Sequence, residues 1–278
     1  MRLKNLLGGA ALLAGLAGCP PNKGAVTPVN VATVKDAELP ADVPGLLKYA
    51  DEEFKKATPE GVANSEAALK KAYATDKGYE VLWRLARAYA WLGDEYEDDA
   101  RVELYSQKGI DFGKLAVAAD AARVEGQYFL ATTTGQYAYV KKLKAKDLVP
   151  LVVEAAKLAV KADEHFDHCG PLRLLGSVYA QAPEPPTSVG DHEEGIKLTG
   201  RAVQQCATYP QNHLLYGDAL RLVDSLDQAD IEYNSVLSAQ GSGSWSHRLP
   251  KWQKQAEDGK KHVANKRRQK SSPDRGGF

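Results

Sequence analysis

Methionine occurs once, at the start, phenylalanine five times and cysteine three times in 278 residues. So few cysteines exclude a disulfide-dense miniprotein and a cysteine-rich metal protein. An excess of either charge is missing as well. The 36 Lys+Arg balance 36 Asp+Glu, which argues against a dedicated nucleic-acid binder. Catalytic phrases are absent: there is no His-Glu-x-x-His, no Gly-x-Ser-x-Gly, no Gly-x-Gly-x-x-Gly ahead of a helix and no Walker lysine loop. Gly241-Ser-Gly-Ser-Trp245 reads as a flexible break rather than a nucleophile loop. An enzyme is therefore not expected, nor a cofactor. Long apolar runs are lacking too, since Val149 to Val160 is interrupted by Glu154 and Lys157. What is present, 44% apolar and 26% charged residues, is an ordinary globular composition with room for a sizeable core.

The N-terminus carries the sharpest pattern. Arg2 and Lys4 precede an uncharged stretch from Leu6 to Gly18, too short to span a hydrocarbon core of about 30 Å and suited to a secretory signal over residues 1–18. Its end, Leu16-Ala17-Gly18-Cys19, resembles the bacterial lipobox. The resemblance implies cleavage before Cys19 and acylation of that cysteine, so that lipid anchors the chain. Pro20 in place of an acidic residue after the cysteine implies the outer membrane, facing the periplasm. Residues 19–44, with Pro20, Pro21, Pro28, Pro40 and Pro44 and no helical stripe, read as a flexible tether.

From Leu46 onward apolar residues recur at three and four, as in Leu151, Ala155, Leu158, Ala159 and Ala162, and strand-type alternation is hard to find. A phrase then repeats: Leu82, Leu85, Ala86 and Tyr89; Leu172, Leu175, Gly176 and Tyr179; His213, Tyr216, Gly217 and Leu220; and more loosely Val124, Gln127, Tyr128 and Ala131. It resembles the first helix of the tetratricopeptide repeat, in which a small residue lets the second helix of the hairpin approach. Ala229, Tyr233 and Val236 continue the last copy into its second helix, and Gly195 and Ala202 do so for the copy before it. Positions 86, 128, 176 and 217 lie 42, 48 and 41 residues apart, so the repeats are degenerate with long loops. An earlier hairpin, Leu46 to Phe54 and Val62 to Ala74, makes five. The expected fold is all-α, a right-handed solenoid of four to five antiparallel helix pairs over residues 45–240.

Longer phrases, Gly126-Gln-Tyr-Phe-Leu-Ala131, Gly170 to Pro183 and Ser188-Val-Gly-Asp191, resemble the T-component family of periplasmic TRAP transporters, and similar phrases occur in the regulator of microtubule dynamics family. The first resemblance implies a lipoprotein that holds a periplasmic solute-binding protein. In tetratricopeptide repeats the concave face is lined from the first helices; carried over copy by copy, those positions fall on Trp83 and Arg87, Arg173 and Ser177, and Asp218 and Arg221. The loop Ala182 to Gly190, rich in proline, is a second candidate contact.

Two cysteines remain after Cys19. In the repeat register Cys169 opens a first helix and Cys206 closes the second, so a disulfide between them is one reading and two buried thiols the other. His165 and His168 could share a helix face with Cys169 or Asp163 as metal ligands; a solvated helix end is the plainer reading. Residues 241–278 read as a basic, partly disordered tail that could meet an anionic surface. From Lys251 it has nine basic and three acidic residues, against 25 basic and 33 acidic between residues 20 and 250.

Together these features describe an envelope lipoprotein that docks another envelope protein, a solute-binding protein by resemblance, with an outer-membrane or secretin assembly factor of the pilotin kind as the alternative. Membrane contact runs through the lipid, nucleic acid is not a partner, and a homo-oligomer is compatible with the pattern. Replacing Cys19 with Ala should leave the signal uncleaved and abolish incorporation of labelled palmitate into the chain. Undiminished labelling would remove the anchor.

Overall fold

The computed structural model describes residues 34–271. Among them the chain forms helices and no strands, and it divides into two compact units, Met1–Val152 and Val153–Phe278. The signal and Cys19 lie outside the described residues.

In the first unit, helices α1 (Val43–Lys55), α2 (Pro59–Thr75), α3 (Tyr79–Glu95), α4 (Asp99–Ala119) and α5 (Val124–Val140) follow one another through short connections. The starts are written locally. Asp42, Thr58 and Asp98 each accept a backbone N–H at the N-cap, from Gly45, Gly61 and Arg101, and Pro44 and Pro59 open α1 and α2 where a missing N–H costs nothing. Helices α4 and α5 run antiparallel, since Gly126 lies by Ala116 while Gly113 faces Leu130. A methyl group on Gly113 would stand 3.0 Å from the Leu130 Cα, so glycine here allows a close approach of the two helices. The core joins Leu46, Val62, Leu69, Val81, Leu85 and Tyr89, drawn from three helices.

This unit begins before its first helix. Val34 N–H bonds to Asn64 Oδ1 at 2.8 Å, Lys71 Nζ donates to the Asp36 carbonyl at 2.9 Å, and Leu39 is buried. The tether read over residues 19–44 therefore gives way to the folded body by Val34.

Helix α6 (Ala145–Ala162) crosses the division between the units. The second unit then holds α7 (Phe166–Gln181), α8 (His192–Gln205), α9 (Pro210–Leu222), α10 (Leu226–Ser238) and α11 (Leu249–Ser271). Here the small residues of the repeated phrase stand at hairpin contacts. Gly176 meets Leu198 and Thr199 on α8, Gly195 meets the Ala180 backbone, and Gly217 meets Tyr233 on α10. A Cβ at Gly195 would lie 2.6 Å from the Ala180 nitrogen, a distance no relaxation of a side chain relieves.

Over Leu249–Ser271 the stretch read as a partly disordered tail is an ordered helix, α11, while residues 272–278 lie outside the described residues. Trp252, Ala256, Gly259 and Val263 recur at four, three and four residues and are all buried, Gly259 directly against the Tyr233 ring. The basic residues mislead because they sit on the other faces. Lys260 pairs with Asp230 at 2.8 Å, Arg267 with Asp227 at 2.6 Å, and Lys266 and Lys270 both reach Asp224. Each such surface pair stabilises by roughly 0–1 kcal/mol, whereas burying a tryptophan contributes several times that. Apolar burial holds the helix and the charges set its register.

Trp252→Ala should lower the stability of the second unit by about 3–5 kcal/mol, read as an earlier urea midpoint by circular dichroism. A variant as stable as the parent would mean α11 is not part of the fold. Gly195→Ala should cost on the order of 1–3 kcal/mol by overpacking against α7, measured the same way.

Candidate functional site

Of the side chains singled out by the repeat register, Trp83 and Arg87 lie in one polar cluster of the first unit and Arg173 in one of the second. In the first, Asp51 and Phe54 come from α1, Glu80, Trp83, Arg84 and Arg87 from α3, and Arg123, Glu125 and Phe129 from the start of α5. Trp83 stacks on Phe129 with ring centroids 6.3 Å apart and planes 5° from parallel. The Arg84 and Arg87 guanidinium carbons lie 4.3 Å and 5.0 Å from the Trp83 ring centre, and Arg87 also covers Phe54 at 4.0 Å. Asp51 accepts from Arg84 Nε and Nη2 and from Arg87 Nη2, at 2.6–3.0 Å. Glu80 accepts from Trp83 Nε1 at 3.0 Å, Arg84 Nη1 at 2.6 Å and Arg123. Burial works to raise both carboxyl groups, but the guanidinium bonds outweigh it, holding Asp51 below its ordinary value and Glu80 down to about 2.

Three acids and three arginines thus match within the cluster, and the tryptophan is only 8% exposed. Trp83 and Arg87, read as concave-face docking side chains, are internal struts in the structure. Tyr79 adds a tie between helices: its hydroxyl accepts the Gly126 N–H at 2.9 Å and thereby caps α5 from α3.

In the second unit the centre is Arg173, 3% exposed. Its Nη1 donates to the His168 carbonyl and to Asn212 Oδ1, both at 2.9 Å, and its guanidinium lies 4.7 Å from the Tyr209 ring centre. Asn212 Nδ2 in turn donates to the carbonyls of His168, Ala202 and Cys206. These bonds surround an unusual backbone. Asp167, His168 and Cys169 hold φ of 49°, 56° and 62°, three successive non-glycine residues in the left-handed region. Each costs roughly 1–2 kcal/mol, so the turn exists because its surroundings over-determine it. Cys169 is joined to Cys206 by a disulfide with Cα atoms 6.0 Å apart.

The remaining candidates are also engaged. Ser177 is buried and accepts from Gln181. Asp218 accepts the Tyr233 hydroxyl at 2.8 Å, and Arg221 Nε donates to the same oxygen at 3.2 Å. His165 is exposed beside Asp163, while the His168 ring stacks on Tyr209 at 4.5 Å. No group of three His, Cys, Asp or Glu is placed to hold a metal ion among the described residues. Gly190 N–H bonds to the Pro183 carbonyl at 2.8 Å, which closes the proline loop at its base and leaves Glu184 to Thr187 exposed. Large apolar side chains stand in solvent at Leu151 and Leu158 on α6, 54% and 42% exposed.

Sequence reasoning missed Asn212, Tyr209, Phe129 and the pair His213–Glu232. Asn212 carries no local signal, since its partners come from α7 and α8. His213 was read only as the first large residue of a repeat; its Nδ1 lies 2.6 Å from Glu232 Oε2 and its Nε2 2.8 Å from the Ala207 carbonyl. The Glu232 hydrogen bond, partly opposed by burial and helped by Ala207, raises its pKa above the ordinary 6.5.

No family model matches the chain, and no curated protein matches it. Among solved structures it is similar to the crystal structure of MamA protein, at 15% identity over 75% of this chain and 94% of that chain, with a TM-score of 0.46.

Two expectations follow. Arg173→Ala should destabilise the second unit by about 2–3 kcal/mol, as charged hydrogen bonds to buried carbonyls are lost; wild-type stability in a urea titration would show that the turn stands without it. Because His213 binds its proton more tightly when folded, its contribution is complete below about pH 6.5 and is lost as pH rises through the raised folded value. His213→Asn should therefore flatten that part of the stability–pH curve, and a curve unchanged by the substitution would exclude the linkage.

Proposed function

We propose that this chain is an envelope lipoprotein whose helical body docks another protein, with Cys19 carrying the lipid that holds it to the periplasmic face of the outer membrane. The docked partner is a periplasmic solute-binding protein of a TRAP-type system, a reading that rests on the phrases between Gly126 and Asp191. The observation that carries the docking role is α6. It leaves Leu151 and Leu158 exposed two turns apart on one helix face, while the candidate side chains on α3, α7 and α9 are spent on internal struts. Exposed leucines so spaced fit a partner's apolar groove or helix. The carboxylates and guanidinium groups of the first cluster satisfy one another and Arg173 is satisfied by a carbonyl and an amide, an arrangement suited to rigidity rather than to proton transfer. A scaffold role without catalysis fits that use of charge.

The test places a photo-crosslinking amino acid at Leu151 and, separately, at Leu158 in the native envelope, with mass spectrometry of the adducts. A solute-binding protein is the expected catch. A secretin or barrel-assembly component would turn the reading to assembly, and a second copy of this chain would turn it to self-association. Leu151→Asp with Leu158→Asp should weaken capture about tenfold or more and leave the melting temperature unchanged; undiminished capture would remove α6 as the docking face.

A further inference from the structure

The disulfide of the second unit is asymmetric in ways that bear on its chemistry. Cys169 is wholly buried, whereas Cys206 is half-buried at the C-cap of α8. Cys169 directly precedes Gly170 and Pro171, where the regular part of α7 begins, and Arg173 follows one turn later. A thiolate released at Cys169 would stand at the start of the regular part of α7, a helix N-terminus; one released at Cys206 would stand at the carbonyl end of a helix. Access and leaving-group stability therefore select the same sulfur for attack. An incoming thiolate reaches Cys206 Sγ more easily, and Cys169 is the better leaving group.

What the bridge restrains is equally specific. Cys169 is the last of the three left-handed residues, and the cysteine on the other side, Cys206, has its carbonyl held by Asn212 Nδ2 at 3.0 Å. The same Asn212 nitrogen donates to the His168 carbonyl at 3.2 Å. Covalent bond and amide thus clamp the two strands of chain at one point. Without the covalent bond, Arg173 and Asn212 alone must keep Asp167, His168 and Cys169 in a conformation that L-residues disfavour. The His168 ring, stacked on Tyr209, moves with that turn, and Tyr209 touches Trp245 and Trp252 at 5.8 Å and 5.3 Å.

We propose that Cys169–Cys206 is a thiol-exchange site for a dithiol reductant, attacked at Cys206, and that its reduction releases the left-handed turn and uncovers Tyr209. In the first step a reductant thiolate forms a bond to Cys206 Sγ, the Cys169–Cys206 bond breaks, and Cys169 leaves as a thiolate that takes a proton from solvent. The second thiol of the reductant then attacks the mixed disulfide and frees Cys206. The two cysteines gain two electrons and the dithiol departs as its disulfide. This site is independent of the docking face on α6, so either can fail alone.

The full chain, oxidised and natively folded, is exposed to reduced glutathione, quenched in acid, denatured with maleimide present and peptide-mapped. Glutathione should reside on Cys206 roughly tenfold more often than on Cys169. Equal labelling, preference for Cys169, or a bridge that neither glutathione nor dithiothreitol opens in the folded protein would overturn the assignment. Hydrogen exchange before and after dithiothreitol reads the second half of the proposal and needs no variant. The Cys169 amide, which donates to the His165 carbonyl at 3.2 Å, should lose protection by about tenfold or more, while amides of α9 and α10 keep theirs. Unchanged protection at residues 166–170 would make the bridge a staple and not a switch.

Discussion

Within each unit the first helices of successive hairpins, α3 and α5 in one and α7 and α9 in the other, lie side by side and parallel, and that contact sets the terms for the polar side chains of the unit. Parallel neighbours bring like helix ends together, so the N–H groups of one start and the carbonyls of one end cannot satisfy those of the next. Side chains must bridge them. Tyr79 accepts the Gly126 N–H, Gln136 Nε2 donates to the Ala90 carbonyl at 2.8 Å, and Trp83 stacks on Phe129. The three links tie α3 to α5 at sequence offsets of 47, 46 and 46 residues. In the second unit Arg173 and Asn212 do the same work between α7 and α9. Polar side chains on the first helices are consumed in this way, and few are left over for chemistry.

The two units solve the problem with different means. The first uses charge in matched sets, with guanidinium groups lying over aromatic rings so that their desolvation is partly offset. The second uses one buried arginine, an amide and a covalent bond, and accepts backbone strain at Asp167 to Cys169 in return. A half-satisfied version of either network would cost more than an apolar core of similar volume. The clusters are therefore best understood as complete structures, in which loss of one member strands the others.

Much of the architecture was legible. Periodicity gives the helices, and the small residues Gly176 and Gly217 do stand where a second helix approaches. Register was harder. The loose phrase at Val124 to Ala131 places Tyr128 opposite Ala86, 42 residues on, whereas the contacts between α3 and α5 require 46–47. The phrase is thus one helical turn out of step, and Thr133, packed by Gly109, takes the position near Ala86's counterpart. A three-to-four periodicity cannot detect a slip of one turn, because every position lands on the same face. The tail failed for another reason: its lysines outnumber its four core residues, and composition hides a narrow apolar stripe.

Local sequence alone determined the helical hairpins, their caps at Asp42, Thr58 and Asp98, and the signal-like start, because each depends on residues within a few turns of one another. Tertiary structure decided what the polar residues of those helices are for. Trp83, Arg87, Arg173 and Asp218 sit on helix faces that the local sequence leaves open, and their partners come from other helices: Phe129 for Trp83, Asp51 for Arg87, Asn212 for Arg173 and Tyr233 for Asp218. The same holds for Cys169 and Cys206 and for the turn between α6 and α7. No local preference favours three left-handed residues in a row, and they persist because groups from α7, α8 and α9 converge on them.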